Sequence, residues 1–308
     1  MVFRTFPPSR DLEQCHLMSL AIQHLLDIRV VEPVLRKEYG LGLYSNLFVV
    51  LKSSGGWRAI LDLKRLNSYL VYRHFKMSSL RSILLVIQRS DFMASVDLTE
   101  AYLHIPILPA HHRFLRFSHK GHHLQYRALL FGLASASRTF TKVLAALVVH
   151  LRSHPVRLQC YLDDMLVQAQ SRTQAIHDLN LTIQMLQSLG FFVNFPKSHL
   201  SSMTKILHLG TVIDSVAGLV RLFSEHLTNL QALTCHIRAS QSVSILTLAR
   251  LLGKMVLCIG IVPWVRLHSQ TLQWLLIPYQ CHRMNNLRLI GLPLDLCWSL
   301  RGWISLAL

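Results

Sequence analysis

Apolar positions recur along this chain in two rhythms, helical and alternating, and the switches between them outline its elements. Between residues 11 and 31, Leu17, Leu20, Ala21, Leu25 and Ile28 fall at helical spacing, with Pro33 close behind, so an amphipathic helix is predicted. Residues 46–51 form an apolar β-type run, Ser53, Ser54, Gly55 and Gly56 supply a turn, and residues 57–63 return as its partner strand. Residues 77–88 read as helix, and residues 92–96 as a short strand that delivers Asp97 at its end. Residues 115–117 and 124–126 predict a hairpin closed around Lys120 and Gly121. Residues 135–151 predict a helix capped by a serine and stopped before Pro155. Residues 174–189 carry Ile176, Leu179, Ile183 and Leu186 on one face and meet Gly190 at their end, a helix with a glycine stop. Short strands are expected at 191–193, 206–209 and 211–213, and a mainly helical region from Ser224 onward. No repeat or low-complexity tract interrupts the pattern, so the subdomains are expected to pack tightly.

One apolar run, residues 158–167, is broken by adjacent carboxylates at Asp163 and Asp164, the sole acidic residues between Glu100 and Asp178. Neighbouring side chains on a strand point to opposite faces, so this pair converges only if the chain turns there. The run therefore reads as strand, tight turn, strand. Such a tip suits a hard divalent cation, which prefers oxygen ligands, and it equally suits an ordinary solvated turn. A third carboxylate, Asp97 at its own strand end, favours the first reading, because three acids on two strand ends are what a two-metal phosphoryl-transfer site requires.

Composition narrows the partner. Of 308 residues 51% are hydrophobic, enough for a large core and for two or three subdomains. Lysine and arginine number 32 against 15 acids, giving +17, and 18 histidines add to the reserve. That imbalance favours a polyanion, with nucleic acid the first expectation and an anionic membrane surface the second. The charged, proline-containing start at residues 1–10 lacks the apolar core of a signal peptide, so an intracellular, non-secreted protein is expected. The apolar region 244–264 is interrupted by Arg250 and Lys254, which argues against a membrane span. Six scattered cysteines read as reduced thiols, and the Cys235-His236 and Cys281-His282 pairs fit no common zinc spacing.

In order along about 200 residues, a set of segments resembles those of reverse transcriptases. Trp57-Arg58-Ala59-Ile60-Leu61-Asp62-Leu63-Lys64-Arg65-Leu66-Asn67 is similar to the family's fingers signature, and the segment around Asp97 to its first catalytic motif. Leu130-Phe131-Gly132-Leu133-Ala134-Ser135-Ala136 resembles the template- and nucleotide-positioning motif, and Tyr161-Leu162-Asp163-Asp164 the second catalytic motif. Leu189-Gly190-Phe191-Phe192-Val193-Asn194 with Lys197 resembles the next motif, and residues 207–214, with Leu209 and Gly210, the primer grip. The likeness is nearest to retrotransposons of the tyrosine-recombinase, DIRS-like group, with retroviral enzymes more distant. Two departures stand out: Ser137 where many members have proline, and Phe131 where retroviral members have glutamine.

The resemblance implies an α+β right-hand polymerase with an antiparallel palm sheet. Fingers would occupy residues 1–72 and 105–134, palm 73–104 and 135–220, and a helical thumb with a truncated connection 221–308. It implies an RNA-directed DNA polymerase that extends a DNA primer on an RNA or DNA template using deoxynucleoside triphosphates. Asp97, Asp163 and Asp164 would hold two Mg²⁺ ions, or Mn²⁺ in their place, with the Leu98 carbonyl as a further ligand. Lys52 and Arg58 would meet the incoming phosphates, Tyr102 would lie against the nucleotide sugar and exclude a 2′-hydroxyl, and Phe131 and Gly132 would line the nucleotide site. Lys197 would assist proton transfer to the leaving pyrophosphate. On the residues alone, Lys52 and Arg58 also suit a solvated hairpin tip, Tyr102 a core aromatic and Lys197 a loop cation.

Arg113, Arg116, Lys120 and Arg127, interleaved with Phe114, Phe117 and Tyr126, suit a hairpin along a template strand, with Phe114 and Phe117 themselves better read as core. Beyond residue 200 the acids are Asp214, Glu225 and Asp295, too few for the metal cluster of a ribonuclease H domain, so that domain is expected to be absent or cut off. A catalytically inactive remnant that binds nucleic acid by charge is the competing expectation, and a basic membrane-surface protein a third. Oligomeric state is not legible.

Overall fold

The computed structural model describes residues 12–51, 57–262, 264–279 and 287–304. Helix Leu12–Asp27 ends four residues short of expectation, because Val31–Pro33 leaves the helix and pairs as a strand with His122–Tyr126. Leu47–Leu51 and Trp57–Leu61 form the anticipated antiparallel hairpin, with Val50 opposite Arg58. Its tip, including Lys52, lies outside the described residues. The helix expected over 77–88 contracts to Leu80–Leu84, entered through a capping box between Ser79 and Ser82.

Strands Arg157–Tyr161, Asp164–Ala169, Phe92–Asp97 and His199–Met203 form a four-stranded sheet in that order. Phe92–Asp97 runs antiparallel to His199–Met203 and buries Met93, Ala94 and Val96 completely or nearly so. Met165, Leu166 and Val167 are fully buried, so this part of the strand lacks the polar alternation of a half-exposed one. Lys205–His208, Thr211–Asp214 and Leu219–Leu222 form a three-stranded antiparallel sheet.

By contacts, the described chain divides into two compact units, one formed by 1–77, 96–165 and 179–198, the other by 78–95, 166–178 and 199–308. The first has a core of Ile22, Leu25, Leu61, Leu63, Phe117, Tyr126 and neighbours. Helix Ala136–Ser153 belongs to this unit and buries Phe140, Leu144, Leu147 and Leu151, one face at helical spacing. Ser135 precedes it in the cap position but makes no side-chain cap bond, contrary to expectation, because its backbone is already helical rather than extended.

The hairpin Arg116–His119 and His122–Tyr126 turns through Lys120 at φ 48° and Gly121 at φ 78°, two left-handed residues that match the twist of the paired strands. Its expected role along a template is only partly available. Tyr126 is buried, and Arg116 is buried in an ion pair with Glu38, donating also to the carbonyls of Glu38 and Leu41 and to Gln125 Oε1. Arg127 pairs with Glu32 at 3.3 Å and Lys120 donates to Ser19 Oγ at 2.9 Å.

In the second unit, helices Ser224–Ala239, Ile245–Leu257, Val265–Leu276 and Leu294–Ser299 enclose a core that includes Leu230, Leu248, Leu251, Met255, Leu272 and Trp303. Arg250 is exposed on the face opposite Leu248 and Leu251, so the apolar stretch is an amphipathic helix. Among the described residues no helix is long and apolar enough to cross a membrane. A three-residue strand pair, Ser242–Ser244 with Leu289–Gly291, interrupts the helices and was not foreseen.

Candidate active site

The three carboxylates arrive by two strand ends of the first unit. Asp97 is the last residue of Phe92–Asp97. Between Tyr161 and Asp164 the chain reverses in two residues, Leu162 and Asp163, and Leu162 takes φ 53°. A branched side chain in the left-handed region costs about 1–2 kcal/mol, a strain that surrounding packing must offset and that typically marks functional turns. The turn is what lets adjacent aspartates serve one site: Asp163 sits in it, and Asp164 opens the next strand.

Asp97, Asp163 and Asp164 lie near enough for their charges to reach one another. Asp97 is held above the usual carboxylate range by burial and by the charge of Asp163, partly offset by Lys197 and by a hydrogen bond from the Asn194 side chain. Asp164 is pushed up to about 6 by burial, then by Asp163 and Asp97, with Lys197 opposing. The acids 66 positions apart in sequence therefore act on one another. They do not close into a tight trio: among the described residues no group of three or more His, Cys, Asp or Glu side chains stands at metal-holding spacing.

Residues 192–198 wrap the end of the Asp97 strand. Thr99 donates to the carbonyl of Phe192 and Asn194 to that of Asp97, both at 2.8 Å, and the Asp97 amide donates to Ser198 Oγ at 3.0 Å. Residues 191–193 thus form a single bridge, Leu98 with Val193, rather than the expected strand. That bridge uses the carbonyl of Asp97 and the amide of Thr99, and the carbonyl of Leu98 takes no part in it. Helix Arg172–Ser188 ends at Gly190, φ 83°, where Gly190 donates to Gln187 and Phe191 to Leu186, the paired bonds of a left-handed glycine stop. That stop sends residues 191–198 back to Asp97.

Tyr102, Phe131 and Arg58 also lie in the first unit. Tyr102 packs against Phe140 and Phe131, with ring centroids 5.0 and 6.1 Å away, and its hydroxyl lies 3.2 Å from Ser137 Oγ. The Arg58 guanidinium stands over the exposed Phe131 ring at 5.6 Å. Gly132 takes φ 93°, a conformation that favours glycine. The turn that follows it is clasped by Asn67, whose amide donates to the Gly132 carbonyl and accepts from the Ala134 amide, both at 2.8 Å. Helix Ala136–Ser153 begins on schedule, so serine in place of proline at 137 leaves this turn intact.

Sequence reasoning gave Asn67, Asn194 and Ser198 no role of their own. Asn67 and Asn194 lay inside quoted motifs, but their partners are set by folding rather than by spacing. Leu209 and Gly210, in the second unit, form the two-residue turn between Lys205–His208 and Thr211–Asp214, with φ 49° and 73°.

The sequence model described as reverse transcriptase (RNA-dependent DNA polymerase) matches residues 50–213. The chain is 24% identical over 211 residues to the Pro-Pol polyprotein of simian foamy virus type 1, covering 68% of this chain and 18% of that protein. It is 24% identical over 165 residues to the transposon Tf2-3 polyprotein of Schizosaccharomyces pombe, covering 53% of this chain and 12% of the relative. The chain thus spans about a fifth or less of these relatives' length. A foamy viral protease-reverse transcriptase solved with double-stranded DNA superposes with TM-score 0.77 at 19% identity, over 99% of this chain and 50% of that one. A second, solved with an RNA/DNA hybrid, gives 0.73 at 18% identity, over 99% and 39%. The shared architecture is the α+β right-hand polymerase fold with antiparallel sheets. With the family's sequence model matched over more than half its length, this chain belongs to the reverse transcriptase (RNA-dependent DNA polymerase) family.

Proposed function

We propose that this chain is the polymerase domain of a retroelement, an RNA-directed DNA polymerase that extends a DNA primer on an RNA or DNA template with deoxynucleoside triphosphates. The observation that carries the reading is the placement of Asp97, Asp163 and Asp164 at two strand ends within reach of one another's charge, Asp97 and Asp164 being raised by burial first and by the neighbouring acid second. Carboxylates raised by burial and by their neighbours' charge gain from a divalent cation, and hard oxygen donors suit Mg²⁺ or Mn²⁺. Asp97, Asp163 and Asp164 would hold two such ions, with the Leu98 carbonyl as an added ligand. When bound, the ions would lower the pKa of the primer 3′-hydroxyl and neutralise charge on the triphosphate.

The chain's own residues supply the rest. Arg58 and Lys52 orient the triphosphate, with Phe131 beneath the Arg58 guanidinium limiting its swing. Tyr102 lies on the sugar side and leaves no room for a 2′-hydroxyl. The left-handed backbone at Gly132, held by Asn67, lets the nucleotide approach closely. Lys197 offsets charge at Asp97 and Asp164 and delivers a proton to departing pyrophosphate. Leu209 and Gly210 hold the primer terminus.

In this reading, residues 1–72 and 105–134 are fingers, 73–104 and 135–220 palm, and 221–308 thumb. The parent element is DIRS-like and acts inside the cell. Extension of a DNA primer on an RNA template is expected to need Mg²⁺ and to vanish in Asp163→Asn. Equal signal from wild type and variant overturns the catalytic assignment, and salt-sensitive binding without extension replaces it with an inactive nucleic-acid-binding remnant.

A further inference from the structure

Tyr102 sits in the short turn Ala101–His104, directly after the Asp97 strand. The chain enters that turn through Glu100 at φ 48°, which reverses its direction and brings the tyrosine to the start of helix Ala136–Ser153. Two aromatic rings touch the Tyr102 ring, Phe140 tilted and Phe131 nearly edge-on. Such contacts hold a ring in place without fixing how far it slides in its own plane. The hydroxyl bond to Ser137 Oγ removes that freedom, since it anchors the far end of the ring.

Backbone needs do not explain this serine. Ser137 is the second residue of its helix, where an amide has no partner within the helix and a residue without one loses no helical bond. What proline lacks is a hydroxyl. The Tyr102 phenol is also near enough to Asp163 to feel its charge, so Ser137 gives it a hydrogen-bond partner other than a carboxylate of the proposed metal site.

We propose that Ser137 is a positioning residue that fixes Tyr102 through its hydroxyl and thereby sharpens selection of deoxynucleotides over ribonucleotides. The inference rests on Tyr102 facing the nucleotide sugar. The hydrogen bond makes discrimination at this site depend on a pair of side chains rather than on one.

The test compares kcat/KM for a deoxynucleotide and its ribonucleotide in single-nucleotide extension by the wild type and by Ser137→Ala, Ser137→Pro, Tyr102→Phe, Tyr102→Val and the Ala/Phe double variant. Losing one neutral hydrogen bond is expected to lower the deoxy/ribo ratio about fivefold in Ser137→Ala and in Tyr102→Phe, and the double variant should fall no further than either single one. Ser137→Pro should match Ser137→Ala in ratio while keeping the wild-type melting temperature, which separates a lost bond from a lost fold. Tyr102→Val should relax the ratio most.

A relaxed Tyr102→Val beside an unchanged Ser137→Ala overturns the role of Ser137 and leaves that of Tyr102 standing. An unchanged Tyr102→Val overturns both. If the chain proves unable to extend a primer, the same ratio is read from equilibrium binding of the two nucleotides to the protein on a chain-terminated primer-template, with the same outcomes deciding.

Discussion

Replacing Asp164 by asparagine should make the metal-free protein more stable while abolishing its proposed chemistry. Asp164 is held near 6 in the fold against an ordinary value of 3.8, chiefly by burial and then by the charges of Asp163 and Asp97. A folded pKa above the unfolded one means that ionising the group opposes folding. The penalty is absent below about pH 4, grows between the two values, and is complete above pH 6. Two units correspond to about 3 kcal/mol at the limit, and the side chain's partial contact with water reduces this to about 1–2 kcal/mol. Urea denaturation followed by circular dichroism, without divalent cations, should show Asp164→Asn more stable than wild type by that amount at pH 7.5 and equal to it near pH 4. Comparing the two proteins at each pH cancels the titrating groups outside the reach of the Asp164 charge. Millimolar Mg²⁺ should then raise the wild type and close the gap. A variant no more stable than wild type at pH 7.5, or a gap that persists at pH 4, would refute the claim that burial and the neighbouring carboxylates disfavour the Asp164 charge.

Three further outcomes are expected. His208, held down near 4 by burial and by His199, is neutral in the fold; its contribution is complete above about pH 6.5 and lost as pH falls toward 4, up to about 3 kcal/mol, and a pH series of melting temperatures on His208→Gln should lack that acid loss. Glu38→Ala leaves the buried Arg116 guanidinium short of its carboxylate and should cost about 2–3 kcal/mol in chemical denaturation, whereas the exposed Lys197→Ala should leave stability within about 0.5 kcal/mol. Gly42→Ala would set a Cβ 2.2 Å from the Arg113 carbonyl at φ +84°, and a loss of at least about 2 kcal/mol is expected; wild-type stability would show that the segment shifts freely.

Local signals in this chain were legible because they depend on neighbours in sequence. The Lys120-Gly121 hairpin and the Gly190 helix stop follow from turn and cap chemistry, and the helix carrying Phe140 and Leu144 from apolar spacing. The doubled aspartate announced a turn because adjacent side chains on a strand cannot otherwise meet. Ordered motifs carried the family assignment, and the match over residues 50–213 bears it out.

Other features needed the fold. Arg116 reads as a template-facing cation, but its guanidinium is enclosed by Glu38, Gln125 and two carbonyls. Residues 77–88 have helical apolar spacing, yet five of them suffice for the turn that packing allows. Residues 191–193 look like a strand, but they meet the chain at Leu98 alone. The clasp of Asn67 on the Gly132 turn joins groups 65 residues apart, and the bond between Tyr102 and Ser137 spans 35. Composition and spacing fix which groups are present and how each segment turns. Which of them meet is a property of tertiary packing, because Asp97 acts on Asp164 only once two strand ends are held side by side.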